Sequence, residues 1–225
     1  MKKRSGLILA VKLIFILSLC IMLYSAFQIY KAPAEARQAL QDWHKKREKA
    51  PIISHTNDET PLPDGMISLS EATSPSKPVY KEGEIIGEIY LPKLDKRIAI
   101  LEGTQRPQLR KGAGHDIGSA PPGTIGNSVV AGHRDTVFRG LGILKKGDLI
   151  EVETEDGKFI YSITGSTIVD GDARGVIKQQ NSEAVLTLIT CYPFSYIGPA
   201  PDRYLLSASL LRKEPVSRDE TLYRK

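Results

Sequence analysis

The sequence predicts an all-β fold: a closed eight-stranded β-barrel with short helices, preceded by one transmembrane helix. Three observations carry the prediction. Apolar residues recur with period two through most of residues 85 to 211, the alternation of a strand with one buried face. These runs are short and their joints are rich in Gly, Pro, Asp and Asn, which favours a sheet closed on itself over one with long open edges. The one long apolar run lies near the N-terminus, and a proline-rich interval without periodicity separates it from the alternating part.

Taken in order, Met1-Lys-Lys-Arg4 opens a short basic tail, read as cytoplasmic over residues 1–6. Leu7 to Tyr30 follows, interrupted chiefly by Lys12, Ser18, Ser25 and Gln28. At about 1.5 Å per residue, a helix of that length crosses a hydrocarbon core about 30 Å thick, with Lys12 snorkelling to one face. The stretch is longer than a secretory core, so residues 7–30 read as a retained signal anchor rather than a cleaved signal peptide, with Cys20 inside it. Basic residues flank the run on both sides, Lys2, Lys3 and Arg4 before it and Lys31, Arg37, Lys45, Lys46 and Arg47 after it. Loop charge alone would therefore allow the large domain to stay in the cytoplasm.

Residues 31–80 read as a stalk and flexible linker. Ala34 to Lys49 alternates charge with Leu40, Trp43 and alanines, as a short solvated helix would; the competing reading is a basic surface resting on anionic headgroups. From Ala50 to Pro78 there are five prolines among many Ser, Thr and Asp residues, the composition of a spacer. Within it, Leu62-Pro-Asp-Gly65 is most simply a proline-rich turn. The formal charge of +5 divides into +4 over residues 1–80 and +1 over the remainder, so the excess belongs to the N-terminal segment and not to a nucleic-acid groove.

Residues 81–225 are long enough for one domain with its own core. The expected strands are 85–91, 97–102, 127–132, 149–155, 158–164, 166–169, 184–191 and 203–211, with Asp156-Gly157 as a two-residue hairpin turn. Helix is expected only near 105–111 and 175–180, and no internal repeat is evident.

The chemistry gathers around Cys191, which ends the apolar run Ala184-Val-Leu-Thr-Leu-Ile-Thr-Cys191 and is the only cysteine outside the N-terminal apolar segment. With no soluble disulfide partner, it is either a small core residue or a nucleophile. Arg203 lies twelve residues on, beyond a loop with three prolines. If the two flanking strands are antiparallel neighbours, thiol and guanidinium stand side by side. Alternation puts Tyr204, Leu206, Ala208 and Leu210 on one face and Arg203, Leu205, Ser207 and Ser209 on the other, so Arg203 projects outward toward a groove; taken alone it would read as a surface arginine paired with Asp202.

A thiol with an ordinary pKa of about 8.5 needs a partner to react at neutral pH. His44 and His55 lie in the stalk and spacer. His133 follows the strand Asn127-Ser-Val-Val-Ala-Gly132 and opens a polar loop, where reactive groups are commonly displayed. His115 lies in the glycine-rich stretch 112–118, where a hydrogen bond pinning the loop explains it better than catalysis, and Asp135 is too close in sequence to orient the His133 ring, so it reads as a turn residue.

Thr187-Leu-Ile-Thr-Cys191 with Arg203 downstream, and Ala131-Gly-His-Arg-Asp-Thr136 upstream, resemble the signature of the sortases, membrane-anchored cysteine transpeptidases of Gram-positive surfaces. The stretch from His133 to Leu141, with Lys145-Lys-Gly-Asp148 after it, is most similar to class D, and the likeness runs in order over residues 84–211. Gly140 stands where class D members often have proline, and no Asp-Pro-Trp-like lid of the pilus-assembling class is present. The resemblance implies an eight-stranded sortase-like barrel over 81–225, outside the cell, that anchors surface proteins.

It also implies roles. Cys191 would attack the threonine carbonyl of a Leu-Pro-x-Thr-Gly or Leu-Pro-x-Thr-Ala sorting signal to form a thioacyl enzyme, and His133 would act as general acid and base. Arg203 would stabilise the oxyanion with the backbone N–H of Tyr192, and Thr190 would supply a nearby hydroxyl. Leu62-Pro-Asp-Gly65 partly resembles such a signal without its threonine. The expected partners are signal-bearing surface proteins, a lipid II-like peptidoglycan precursor amine and the membrane. A cysteine protease that releases surface proteins by hydrolysis, and a catalytically silent wall-binding module, are the alternatives. No cofactor is expected: Glu102, Asp116 and Asp170 match no metal-ligand spacing, which leaves calcium dependence undecided.

Overall fold

The polypeptide begins as one continuous helix, α1 (Lys2–Lys49), which carries both the apolar run and the charged stretch after it. This computed structural model describes residues 2–49, 80–177, 182–195 and 198–214, without the side chains of 2–11 and 28–33. Leu62-Pro-Asp-Gly65 lies outside the described residues. From Leu13 to Phe27 the large apolar side chains of α1 are all exposed. The transmembrane helix expected over 7–30 is helical, but among the described residues no helix is long and apolar enough to cross a membrane.

The barrel follows as β1 (Ile85–Leu91), β2 (Lys96–Glu102), helix α2 (Arg106–Lys111), β3 (Ala113–His115), β4 (Gly126–Ala131), β5 (Leu149–Thr154), β6 (Gly157–Asp170), β7 (Ala184–Tyr192) and β8 (Asp202–Glu214). It closes in the order β1-β2-β3-β4-β7-β8-β6-β5. The β2–β3 and β4–β7 pairings are parallel and the others antiparallel. Ile86, Ile89, Ile100, Val130, Phe138, Ile150, Phe159, Tyr161 and Leu188 are among the side chains that fill it. In β8, Tyr204, Leu206 and Ala208 point inward as alternation requires.

Among the described residues eight strands form the barrel, though not the eight expected. The segments 158–164 and 166–169 form one strand, β6, whose register against β8 shifts between Ile163 and Gly165. The missing count is restored by β3, inside the glycine-rich stretch expected to turn. Its glycines make the strand possible by close approach: a Cβ on Gly112 would lie 2.3 Å from the Ala99 carbonyl oxygen, and one on Gly114 2.4 Å from that of Gly103. The β5–β6 hairpin turns at Glu155-Asp156, one residue earlier than expected, with Gly157 at φ +143° closing the pair to Thr154. Residues 175–177 are not helical, and 178–181 lie outside the described residues.

The second half of α1 also departs from expectation, because it is not solvated. Ala36, Ala39, Leu40 and Trp43 follow i, i+3, i+4, i+7 spacing and form one stripe. That stripe lies on the barrel: Ala39 packs with Ala99 and Leu101 of β2, and Trp43 is 0 % exposed. Ion pairs and a hydrogen bond between His44 and Glu88 flank the seam. Glu35 meets Arg110 at 2.7 Å, His44 meets the buried Glu88 at 2.7 Å, Lys46 meets Glu84 at 3.0 Å and Glu155 at 2.9 Å, and Arg47 meets Glu153 at 2.7 Å.

Candidate active site

The site is built where β4, β7 and β8 end at one rim. In the antiparallel β7–β8 ladder, Cys191 and Arg203 are direct cross-strand partners, so their side chains leave the sheet on the same face. On the other side of β7, parallel β4 pairs Ala131 with Ile189, and the Gly132 N–H donates to the Ile189 carbonyl at 3.0 Å. His133 follows just beyond the end of β4, and Cys191 stands two residues beyond Ile189 on the neighbouring strand, about 4.8 Å away in the sheet. The register thus gathers residues from three separated stretches of chain.

Thr190 fastens this arrangement. Its buried hydroxyl donates to the Gly132 carbonyl at 2.7 Å, tying the residue before His133 to the residue before Cys191. The imidazole of His133 is exposed and has no hydrogen-bond partner among the described residues, while Cys191 is half-buried. Arg203 donates from Nη1 to the carbonyls of Ala200 and Asp202, at 3.1 and 3.0 Å, and meets no carboxylate among the described residues. The alternative of an ordinary Arg203–Asp202 ion pair is not what forms. Tyr192 turns its ring inward, stacked on Tyr204 and edge-on to Phe194. Asp135 is exposed in the turn that the Phe138 N–H closes onto the His133 carbonyl at 2.9 Å.

Two supporting residues escaped sequence reasoning. Arg134 donates from Nη1 to the Pro193 carbonyl at 2.9 Å and from Nη2 to the Gly198 carbonyl at 3.0 Å, strapping the loop between Cys191 and Arg203 to the His133 loop. It lies inside the quoted histidine motif, but no spacing reveals that its partners are carbonyls some sixty residues away. Gly171, whose N–H donates to the Pro201 carbonyl at 2.7 Å, admits the β6–β7 connection against Arg203; a Cβ there would stand 3.0 Å from Arg203 Nη1. Gly140 has φ +86°, which proline cannot adopt, so this turn differs from one with proline.

Below the rim, the outward faces of β6, β7 and β8, with Asn127 of β4 and Val176 and Ile177 after β6, form a groove of about 510 Å³, whose floor includes Thr167, Val185, Thr187, Leu205 and Ser207. Cys191 and Arg203 continue the same alternating faces at its end, so a bound extended peptide could present a carbonyl to the thiol. His115 has a structural setting: at the buried ends of β3 and β2, Nδ1 lies 2.8 Å from the Glu102 carboxylate, and Nε2 lies 3.0 Å from the Ala120 carbonyl. Among the described residues no group of His, Cys, Asp and Glu could hold a metal ion.

The sequence model of the Sortase domain family matches residues 89–211. Sortase D of Bacillus subtilis (strain 168) is 35% identical over 183 residues, 81% of this chain and 88% of that protein. Among solved structures, the catalytic domain of B. anthracis SrtD is 38% identical, with a TM-score of 0.53 over 65% of this chain and all of that one. A Clostridium perfringens sortase D5 transpeptidase is 31% identical, with a TM-score of 0.53 over 59% of this chain and 82% of that one. Sequence, fold and relatives agree, and the chain belongs to the sortase family of cofactor-independent cysteine transpeptidases, with relatives in class D.

Proposed function

We propose that the enzyme cleaves a Leu-Pro-x-Thr-Gly or Leu-Pro-x-Thr-Ala sorting signal after threonine and transfers the released acyl group to a cell-wall precursor amine. The observation that carries this reading is the cross-strand pairing of Cys191 with Arg203, with His133 just beyond the end of β4, the neighbour of β7 on its other side. Cys191 as thiolate attacks the threonine carbonyl carbon, and the Arg203 guanidinium and the Tyr192 N–H stabilise the oxyanion. As the C–N bond breaks, the imidazolium of His133 gives its proton to the leaving amine. The acceptor amine then attacks the thioester, passes a proton to His133 and expels the Cys191 thiolate. Thr190 acts by holding the two strand ends together, and the half-exposed Cys191 fits this better than a silent module, whose thiol would be buried.

We read residues 1–6 as cytoplasmic, 7–30 as the membrane anchor and 81–225 as the catalytic domain outside the cell. Support comes from the uncovered apolar side chains of Leu13 to Phe27, which form no contact surface with the barrel. The test is a mass-spectrometric assay of the full chain in detergent with a Leu-Pro-x-Thr-Gly or Leu-Pro-x-Thr-Ala peptide and an amine. A thioester on Cys191 and an amine-exchanged product are expected, both lost in Cys191→Ala and His133→Ala. Hydrolysis without exchange would favour an endopeptidase, and no adduct would favour the silent module.

A further inference from the structure

A second cavity, of about 620 Å³, lies between α1 and the barrel on the side of His133. Its apolar wall comes from Ala36 and Leu40 of α1 together with Ile98 and Ala99 of β2, and His133 lines it. Around the opening stand Lys96, Lys111 and Arg139, none with a carboxylate partner among the described residues. Lys96 donates to the Thr136 carbonyl at 2.5 Å; burial, with Arg139 as a neighbouring cation, holds its ammonium below the usual lysine range. Arg97 and Arg110 also line the space but are engaged with Glu88 and Glu35, and among the described residues Asp135 is its single acidic one. Such an excess of unneutralised positive charge beside an apolar wall suits an anion attached to a larger molecule.

We propose that this cavity binds the amine acceptor through a phosphate group that the acceptor carries, held by Lys96, Lys111 and Arg139. The inference rests on the transpeptidase reading above and names the site of its second substrate. Two geometric facts direct it. The peptide groove and this cavity share no lining residue, and His133 lines only the second. While Cys191 holds the acyl group from the first groove, an incoming amine must meet the imidazole from the other side to lose its proton as it attacks. In addition, α1 is unbroken, so Ala36 lies only about 14 Å along the axis from Phe27, at the end of the described apolar segment. An anchored enzyme would therefore hold this opening within reach of an acceptor presented at the membrane surface.

The probes are ethanolamine and phosphoethanolamine as acceptors, and inorganic diphosphate as a non-reacting ligand, all with the full chain in neutral detergent. Phosphoethanolamine should show a KM at least tenfold below that of ethanolamine, a preference that shrinks with added salt. In Lys111→Gln/Arg139→Gln the ratio should fall toward one. Ala36→Glu, which adds a carboxylate to the helix wall, should lower it as well. Diphosphate should bind the wild type and lose at least tenfold affinity in the double variant, as read by titration calorimetry.

A wild-type ratio near one, a ratio unmoved by either variant, or diphosphate binding unchanged in the double variant would overturn the proposal. Binding of anionic vesicles through these cations, with no preference for phosphoethanolamine, would also overturn it, leaving a membrane-contact surface. Absence of any Cys191 thioester with a sorting peptide is a separate failure, that of the transpeptidase reading, and it is scored before any acceptor is added.

Discussion

Truncating Trp43 tests whether the N-terminal helix is a working part of the catalytic body. The indole is 0 % exposed, yet it belongs to the helix seam and not to the cluster that fills the barrel. Burying a tryptophan removes about 200 Å² from water, or about 5 kcal/mol at 25 cal/mol per Å², and truncations of large buried side chains cost about 3–5 kcal/mol. Trp43→Ala should therefore weaken helix docking by about 4 kcal/mol, close to a thousandfold in the docking equilibrium. Because the loss is local, hydrogen exchange should show it as faster amide exchange over residues 34–49, by up to that factor, with the β7 and β8 amides still protected. Trp43→Phe supplies the control. The indole N–H meets no acceptor among the described residues, and an unpaired buried donor costs about 1–3 kcal/mol, so its removal offsets part of the lost area. The phenylalanine variant should cost less than about 1.5 kcal/mol. Equal effects for Ala and Phe, or unchanged exchange over 34–49 in Trp43→Ala, would refute the reasoning.

Thr190→Val keeps the shape but removes the hydroxyl that holds Gly132, and should cost about 1 kcal/mol while lowering kcat; Thr190→Ser should restore most of both, as thermal unfolding and steady-state rates would show. Arg134→Ala releases the Pro193 and Gly198 carbonyls, so exchange over residues 192–195 should quicken and thioester formation slow, with the barrel's Tm little changed. Acid should undock α1. Burial alone would raise the Glu88 carboxyl, but hydrogen bonds from His44 and Arg97 outweigh it and hold the group below the usual carboxylate range. The stability it contributes is present above its unfolded pKa and is lost as pH falls through the lower folded value. Glu153 has the opposite sign: burial outweighs the attraction of Arg47, its carboxyl titrates above the usual range, and stability is lost as pH rises through that folded value. At pH 7 Glu88→Gln should therefore loosen the helix more than Glu153→Gln, measured by Trp43 fluorescence against pH.

Strand content, the facing of β8 and the meeting of Cys191 with Arg203 were legible because alternation is a local property and two neighbouring antiparallel strands joined by one loop leave little freedom in pairing. His133 was legible by its place at a strand end, and its alignment with Cys191 depends on the parallel β4–β7 register, which no local pattern encodes. The strand β3 was hidden because its glycines serve close backbone contact, although glycine clusters read as turns. The docked helix was hidden for a related reason. A stripe half of alanine carries little hydropathy, yet those small side chains are what let the helix approach β2. Arg134 and Gly171 act on backbone carbonyls far away in sequence, and such partners leave no trace in residue type.

The contact of Lys46 with Glu84 joins two parts of the chain that are distant in sequence. One ammonium and one carboxylate, 38 positions apart in sequence, clasp the end of the helix to the residue just before β1. A load on α1 therefore reaches the barrel across this seam as well as along the backbone. Cleavage of a peptide bond between Lys49 and Tyr80 should leave the two fragments clasped through that seam.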